Sequence, residues 1–252
     1  MPLLEVKGLE KNFGGLKAIS GLNFSVPEDI IFSIIGPNGA GKTTLFNLLT
    51  NIYKPTKGSI FFLENEITNL PPFKIAALGI TRTFQNLQVF LNMSAVENVM
   101  VGCHLRSKSG LLASAIRLPS VIKEEKQVKE MALEALDFCG LSHIAYTEAS
   151  SLPYGILKKL EIARALAMKP KLLLMDEPAA GLNDTETMEL CRLIRQIRDS
   201  GITVLLVEHN MGLVMDISDR VLVLNYGQLL AEGVPEEIQK NQDVIAAYLG
   251  HD

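Results

Sequence analysis

Residues 30–44 read IIFSIIGPNGAGKTT. The first six are apolar except Ser33 and mostly β-branched. The run is too short for a helix and is followed by turn residues, the pattern of a strand buried on both faces of a parallel sheet. Gly36-Pro37-Asn38-Gly39-Ala40-Gly41-Lys42-Thr43-Thr44 then matches G-x-x-x-x-G-K-[ST] in the strand, loop, helix order that this motif requires. The glycines let successive backbone N–H groups turn inward around phosphate oxygens, and a helix beginning near Lys42 adds the positive end of its dipole. In such a loop Lys42 reaches the β- and γ-phosphates as a point charge, the Thr43 hydroxyl coordinates Mg²⁺, and Thr44 contacts the α-phosphate.

A second apolar run, residues 172–175, ends in Asp176-Glu177-Pro178. Two adjacent carboxylates thus fall at the C-terminal edge of the sheet, where α/β folds bind their ligands. Neighbouring side chains point in opposite directions. Asp176 is therefore expected to hold the Mg²⁺ shell while Glu177 faces the γ-phosphate and orients or deprotonates the attacking water. Further buried strands are read at 203–207 and 221–224. Between strands, Leu190, Leu193, Ile194 and Ile197 follow helical spacing until Gly201. Strands alternating with helices give an α/β core. The stretch 87–166 differs: Val128, Met131, Ala132 and Ala135 keep a helical period, and no strand pattern occurs before residue 172. It reads as an inserted helical subdomain, with a surface loop or short helix at 107–120 around Gly110, Leu111, Leu112 and Pro119.

Length and charge bound the rest. A chain of 252 residues, 48% of them hydrophobic, is large enough to bury the core of one globular unit. The net charge of −4 provides no positive field for a nucleic-acid backbone, so no nucleic acid is expected as partner. Mean hydropathy is +0.22, yet no apolar stretch reaches the roughly 18–20 residues of a membrane-spanning helix. The opening MPLLEVKGLEKNF carries early acidic residues and no apolar signal core, giving an expectation of cytoplasmic residence. Cys103, Cys139 and Cys191 are odd in number and lack metal-ligand spacing, which marks them as reduced structural thiols.

Further segments follow in a fixed order: Thr81-Arg82-Thr83-Phe84-Gln85-Asn86; Leu152-Pro153-Tyr154-Gly155-Ile156 with the helical run LKKLEIARAL after it; Ala180-Gly181-Leu182-Asn183; and Glu208-His209 after the strand at 203–207. With the phosphate loop and Asp176-Glu177, they make the chain resemble an ABC-transporter ATP-binding subunit along nearly its whole length. The resemblance implies that Gln85 is the switch glutamine sensing Mg²⁺ and the γ-phosphate, and that His209 contacts the γ-phosphate and positions water. It also implies that residues 180–183 cross a dimer interface. Pro153, Tyr154 and Gly155 occupy the place of the Leu-Ser-Gly-Gly-Gln signature that serves the partner's nucleotide. Pro153 stands where the common signature has a serine, so that hydroxyl donor is missing while Gly155 and the helix N-terminus remain. Phe13 lies where the family places a ring against adenine; a ring in the core is the other reading.

The strings Arg82-Thr83-Phe84-Gln85-Asn86, Leu-Pro-Tyr-Gly at 152–155, Val207-Glu208-His209-Asn210-Met211 and Ala246-Ala247-Tyr248-Leu249-Gly250 resemble most closely the larger ATPase of branched-chain amino acid importers of the Liv type. The segment from His104-Leu105-Arg106 through Leu118-Pro119 and on to Lys123-Glu124-Glu125 resembles that subunit's insertion. The implied fold is an α/β P-loop NTPase (RecA-like) core at about 1–86 and 167–252, with an N-terminal antiparallel β subdomain and an inserted helical subdomain at about 87–166, one ABC ATPase domain spanning 1–252. The implied ligands are ATP and Mg²⁺. Implied partners are a second copy or a sister ATPase, two transmembrane permease subunits and, indirectly, a substrate-binding protein, at the cytoplasmic face of the membrane. Importers of urea or aromatic acids, a soluble ABC ATPase outside transport, and a phosphotransferring P-loop kinase are the alternatives. The kinase is disfavoured by Glu177, His209 and the signature-like helix.

Overall fold

The apolar run at residue 30 folds as expected. In the computed structural model, which describes residues 2–103 and 119–249, it is β3 (Ile31–Ile35), with every residue buried. Two other fully buried strands, β7 (Leu172–Asp176) and β8 (Thr203–Val207), lie beside it, together with β9 (Arg220–Asn225). With β6 (Ile80–Arg82) and β10 (Gln228–Gly233) they form a six-stranded sheet of order β10-β9-β3-β8-β7-β6, parallel except for the β9/β10 pair. Continuous apolar strands suit a sheet covered on both faces. The register sets Ile34 beside Val207, Val207 beside Asp176, and Leu174 beside Arg82. The loops leaving β3, β6, β7 and β8 therefore emerge along one edge.

The N-terminal antiparallel sheet is also present: β1 (Leu4–Phe13), β2 (Leu16–Val26), β4 (Lys57–Phe62) and β5 (Asn65–Glu66), in the order β2-β1-β4-β5. Its buried residues Leu4, Val6, Leu9 and Phe62 share one core with Phe32 and Ile34 of β3 and with Leu45, Phe46, Leu48 and Leu49 of α1 (Lys42–Leu49). Burying one face and solvating the other is the usual arrangement of such a sheet. It is bonded to the phosphate-loop side of the molecule through Ser20, whose N–H donates to the Gly227 carbonyl at 2.9 Å.

Helix α2 (Pro72–Leu78) leads into β6. Between β6 and β7 the described residues form helices and turns. Helices α3 (Ala95–Gly102), α4 (Pro119–Phe138) and α5 (Tyr154–Leu166) pack through Val99, Cys103, Ala132, Leu136, Leu160 and Ala163. The loop or short helix expected at 107–120 lies outside the described residues except for Pro119 and Ser120, which open α4, and most of the insertion-like segment from residue 104 lies outside them too. The three cysteines are buried, in line with structural thiols.

Helix α6 (Asp184–Asp199) buries Leu190, Leu193, Ile194 and Ile197, the spacing read from sequence. Its start is fixed by a reciprocal cap: Asn183 Oδ1 accepts from the Glu186 N–H at 3.0 Å, and the Asn183 N–H donates to Glu186 Oε2 at 3.0 Å. Three short helices, α7 (Met211–Ile217), α8 (Pro235–Lys240) and α9 (Gln242–Leu249), complete the chain. Replacing the cap in Asn183→Ala should cost about 0.5–2 kcal/mol. A melting point lowered by ~2–4 °C per kcal/mol in calorimetry is the expected reading, and an unchanged one would exclude the cap as a stabilising contact.

Candidate active site

The phosphate loop leaves β3 at Gly36, whose φ is +155°; a Cβ there would lie 2.2 Å from the Leu224 carbonyl oxygen. Gly41, at φ +106°, would place its Cβ 2.8 Å from the Ala18 carbonyl oxygen. At both positions only glycine fits, so the loop is held close against its neighbours on either side. Asn38 and Gly39 at its tip are exposed, as is Thr43, while Pro37 and Thr44 are half-buried and Ala40 is buried. Lys42 begins α1, and its ammonium donates across its own loop to the carbonyls of Gly36 (2.6 Å) and Pro37 (3.0 Å). Burial holds its pKa below the ordinary lysine value, and the carboxylates of Glu177 and Asp176 partly oppose that shift. Lys42 is thus within electrostatic reach of both acids.

Those two acids diverge at the end of β7. Asp176 is buried and pairs with Arg82 of β6, Nη2 to Oδ2 at 2.6 Å. The other end of the guanidinium donates to Asn47 Oδ1 of α1 at 2.7 Å, and its central carbon Cζ lies 5.4 Å from the Phe46 ring centroid and 5.0 Å from that of Phe84. Burial raises the Asp176 pKa above the ordinary carboxylate value in spite of the opposing hydrogen bond and charge of Arg82. Glu177 turns the other way. Its backbone takes φ +48°, and its carboxylate accepts from Gln85 Nε2 at 2.7 Å and stands 3.7 Å from His209 Nδ1.

The expected residues Lys42, Gln85, Asp176, Glu177 and His209 therefore converge on one edge of the sheet. Sequence reading passed over two residues that hold them there. Arg82 was named only as a member of the segment around Gln85, with no role of its own. Glu208 follows a fully buried strand just as Asp176 ends one, and it is buried. Its carboxylate accepts from the Ala179 N–H (2.8 Å) and the His209 N–H (3.1 Å), tying the loop after β8 to the turn after β7.

Phe13 lies apart from this cluster. It is exposed rather than in the core, edge-on to Tyr53 with centroids 5.3 Å apart, and the Lys11 ammonium is 4.9 Å from its ring centre. Pro153, Tyr154 and Gly155 form the start of α5. The Tyr154 hydroxyl donates to the Ala180 carbonyl at 3.3 Å, and a Cβ on Gly155 would meet Glu186 Oε1 at 2.4 Å. This end of the helix is thereby fitted against residues 180–186.

A glycine-turned loop opening a helix beside a parallel strand, with a lysine facing two strand-end carboxylates, defines a P-loop nucleotide-binding protein. Comparison with known proteins narrows the class. The family described as ABC transporter matches residues 19–180, and the family described as branched-chain amino acid ATP-binding cassette transporter matches residues 228–252. The high-affinity branched-chain amino acid transport ATP-binding protein BraF of Pseudomonas aeruginosa is 48% identical over 250 residues, covering 99% of this chain and 98% of that protein. LivG of Escherichia coli strain K12, described in the same words, is 46% identical with the same coverage. A nucleotide-free ATP-binding cassette from an ABC transporter superposes with TM-score 0.86 at 33% identity, covering all of both chains. The chain belongs to the ABC transporter ATP-binding family, in the branch represented by BraF and LivG, and its fold is the ABC ATPase fold. It binds and hydrolyses ATP.

Removing Arg82 while keeping its apolar stem, as in Arg82→Met, leaves Asp176 as a buried charge without its counter-ion. The expected cost is about 3–5 kcal/mol at neutral pH. Because burial already raises the Asp176 pKa, the folded state takes up its proton more readily than the unfolded chain. The variant's deficit relative to the native protein should therefore shrink as pH falls toward the ordinary carboxylate range. Denaturant unfolding of both proteins across pH checks this, and a deficit independent of pH would contradict it.

Proposed function

We propose that this chain is the ATPase of an importer for branched-chain amino acids, binding MgATP on its phosphate loop and hydrolysing it with Glu177. The observation that carries the chemical part is the convergence of Gln85 and His209 on the Glu177 carboxylate, beside Lys42. A carboxylate at the end of a buried strand, oriented by one amide and one imidazole, is placed to align and deprotonate a water. Gly36 through Thr44, including Pro37, Asn38, Gly39, Ala40 and Gly41, would cradle the phosphates, with Lys42 moving from the loop carbonyls onto the β- and γ-phosphates. His209 would donate to the charge that develops on the γ-phosphate. Phe13, exposed and already paired edge-on with Tyr53, would offer its face to adenine.

The oxygen donors fit magnesium. The Thr43 hydroxyl, the Asp176 carboxylate and the Gln85 amide are hard ligands, and among the described residues no cluster of three His, Cys, Asp or Glu side chains makes an all-protein cage. The ion would arrive with the nucleotide, screening the phosphate charge. Asp176 would present to it the oxygen that Arg82 does not take.

The transported substrate follows from the relatives named for branched-chain amino acid transport and from the match over residues 228–252. No described helix is long and apolar enough to cross a membrane. Two permease subunits would supply that passage, with this chain at the cytoplasmic face and a substrate-binding protein opposite. Residues 1–86 and 167–252 would act as the catalytic core and 87–166 as the helical unit facing the permease. The site needs a second ATPase, a copy or a sister, because Pro153, Tyr154 and Gly155 lie against residues 180–186 of their own chain and would serve the partner's nucleotide.

Glu177→Gln should keep ATP binding and lose roughly 10²–10⁴-fold in turnover. Near-native hydrolysis in the assembled transporter would remove Glu177 from that role. For the substrate, the protein should be reconstituted in vesicles with the membrane subunits and binding protein encoded beside it. ATP-dependent uptake of leucine, isoleucine or valine is expected; uptake of urea or aromatic acids in their place would overturn the assignment.

A further inference from the structure

Three of the four charged side chains of helix α5 are bonded to main chain, the fourth, Lys159, being paired with Glu189. Lys158, Glu161 and Arg164 recur every three residues and so share one face of the helix. Lys158 is 3% exposed and Glu161 2%. The Lys158 ammonium donates to the Gln85 carbonyl at 3.1 Å. A Glu161 carboxylate oxygen accepts from the Phe84 N–H at 3.2 Å. The Arg164 guanidinium donates to the Gln88 carbonyl and lies 3.8 Å from Glu161, so the acid between the two bases is paired as well.

The partners of this row are peptide groups of one irregular stretch. Residues 83–91 form neither helix nor strand, so their backbone groups lack the partners that regular structure supplies. At Thr83 the chain still bonds to β7, the N–H donating to the Leu174 carbonyl at 2.9 Å. At Phe90 it is held from the other side, where its N–H donates to Asn98 Oδ1 at 2.8 Å and its carbonyl accepts from Asn98 Nδ2 at 2.9 Å. Between those two points the path of the chain is set by α5. Burying Lys158 and Glu161, with Arg164 half-buried beside them, costs free energy unless each is well paired, and here every one of them is paired to the loop or to its neighbour in the row.

We propose that Lys158, Glu161 and Arg164 are positioning residues that latch the Gln85 loop onto α5, so that Gln85 and the Pro153–Tyr154–Gly155 end of the helix move as one body. The Lys158 ammonium, 5.7 Å from the Tyr154 ring centre, joins the latch to that end of the helix. The Tyr154 hydroxyl, bonded to the Ala180 carbonyl, extends the connection to the segment after Glu177. A displacement of Gln85 would thus be transmitted to the residues aimed at the second ATPase. The functional consequence rests on the roles given above to Gln85 and the helix start; the latch itself does not.

The test separates the two. Hydrogen exchange on the full-length protein, read in peptides spanning residues 83–88, should quicken about tenfold or more in Glu161→Leu, the factor expected when one charge-assisted hydrogen bond is lost. Glu161→Gln, which keeps an acceptor for the Phe84 N–H, should stay near native. In steady-state hydrolysis, Lys158→Met should lower kcat about tenfold with KM for ATP nearly unchanged, and Lys158→Arg should restore it. If Glu161→Leu does not fold, exchange in Lys158→Met against Lys158→Arg serves in its place. Native exchange in every variant would overturn the latch. So would a kcat loss in Lys158→Met that Lys158→Arg does not recover, or one that merely follows the melting point. Gln85→Ala with native turnover would instead remove the assigned role of the loop while leaving the exchange result standing.

Discussion

Everything at this site follows from a parallel sheet buried on both faces. No residue of β3, β7 or β8 reaches solvent, so a polar side chain within them must be paired inside the protein or displaced to a strand end. The few internal ones are paired: Ser33 bonds to Ser218 at 2.6 Å, and Thr203 accepts from the Asp29 N–H at 2.9 Å. The remaining chemistry is expelled to the C-terminal edge, where parallel register brings the loops of four strands together. A lysine, a glutamine, two acids and a histidine, scattered through the sequence from 42 to 209, meet there because their strands end level.

The same burial explains why the edge is built with so many supporting charges. Asp176 is the last residue of its strand and still buried, so its carboxylate requires a counter-ion within the sheet, and Arg82 on the adjacent strand supplies one. The guanidinium is fixed at both ends, by Asp176 and by Asn47 of α1, which joins the strand leading to Gln85 with the helix that opens at Lys42. Its Nε and the hydroxyls of Thr81 and Thr83 are buried without a protein partner among the described residues. This short strand is therefore the most polar part of the sheet interior, and it adjoins the loop that α5 clamps.

How much of this could be read from the sequence follows from the range of each interaction. The strand and phosphate loop at 30–44 and the acids at 176–177 were legible because their signals are local: apolar runs of strand length, glycines at the turn, a lysine at a fixed offset. Gln85 and His209 carry no such local pattern, and only resemblance to a family singled them out. Arg82 and Asp176 are 94 residues apart, and Lys158 and Gln85 are 73 apart. No periodicity within either segment announces such pairings. Gly155 has a second reason to be glycine that its segment does not reveal, the Glu186 carboxylate packed where a Cβ would stand. Phe13 was balanced between two readings, and only the exposure of its ring favours a role at the surface.

Glu177 shows how packing at the edge sets the direction of a side chain. A non-glycine residue at φ +48° is costly, on the order of 1–3 kcal/mol, and persists only where its surroundings over-determine it. Here its N–H donates to the Val207 carbonyl at 2.8 Å as the last bond of the β7/β8 ladder, and its carbonyl accepts from the Ala180 N–H at 3.1 Å. Glu208 secures the next turn through the Ala179 N–H. An extended residue at this point would continue the strand and keep its side chain in line with the sheet. The left-handed one lets the chain turn away while the carboxylate stays with Gln85 and His209. Two of the bonds that hold that conformation, those to Val207 and Glu208, come from β8 and its following loop, the element that also carries His209. Two parts of the proposed hydrolytic apparatus are thus fixed through one element, and a shift of the β8 loop would move the carboxylate and the imidazole together.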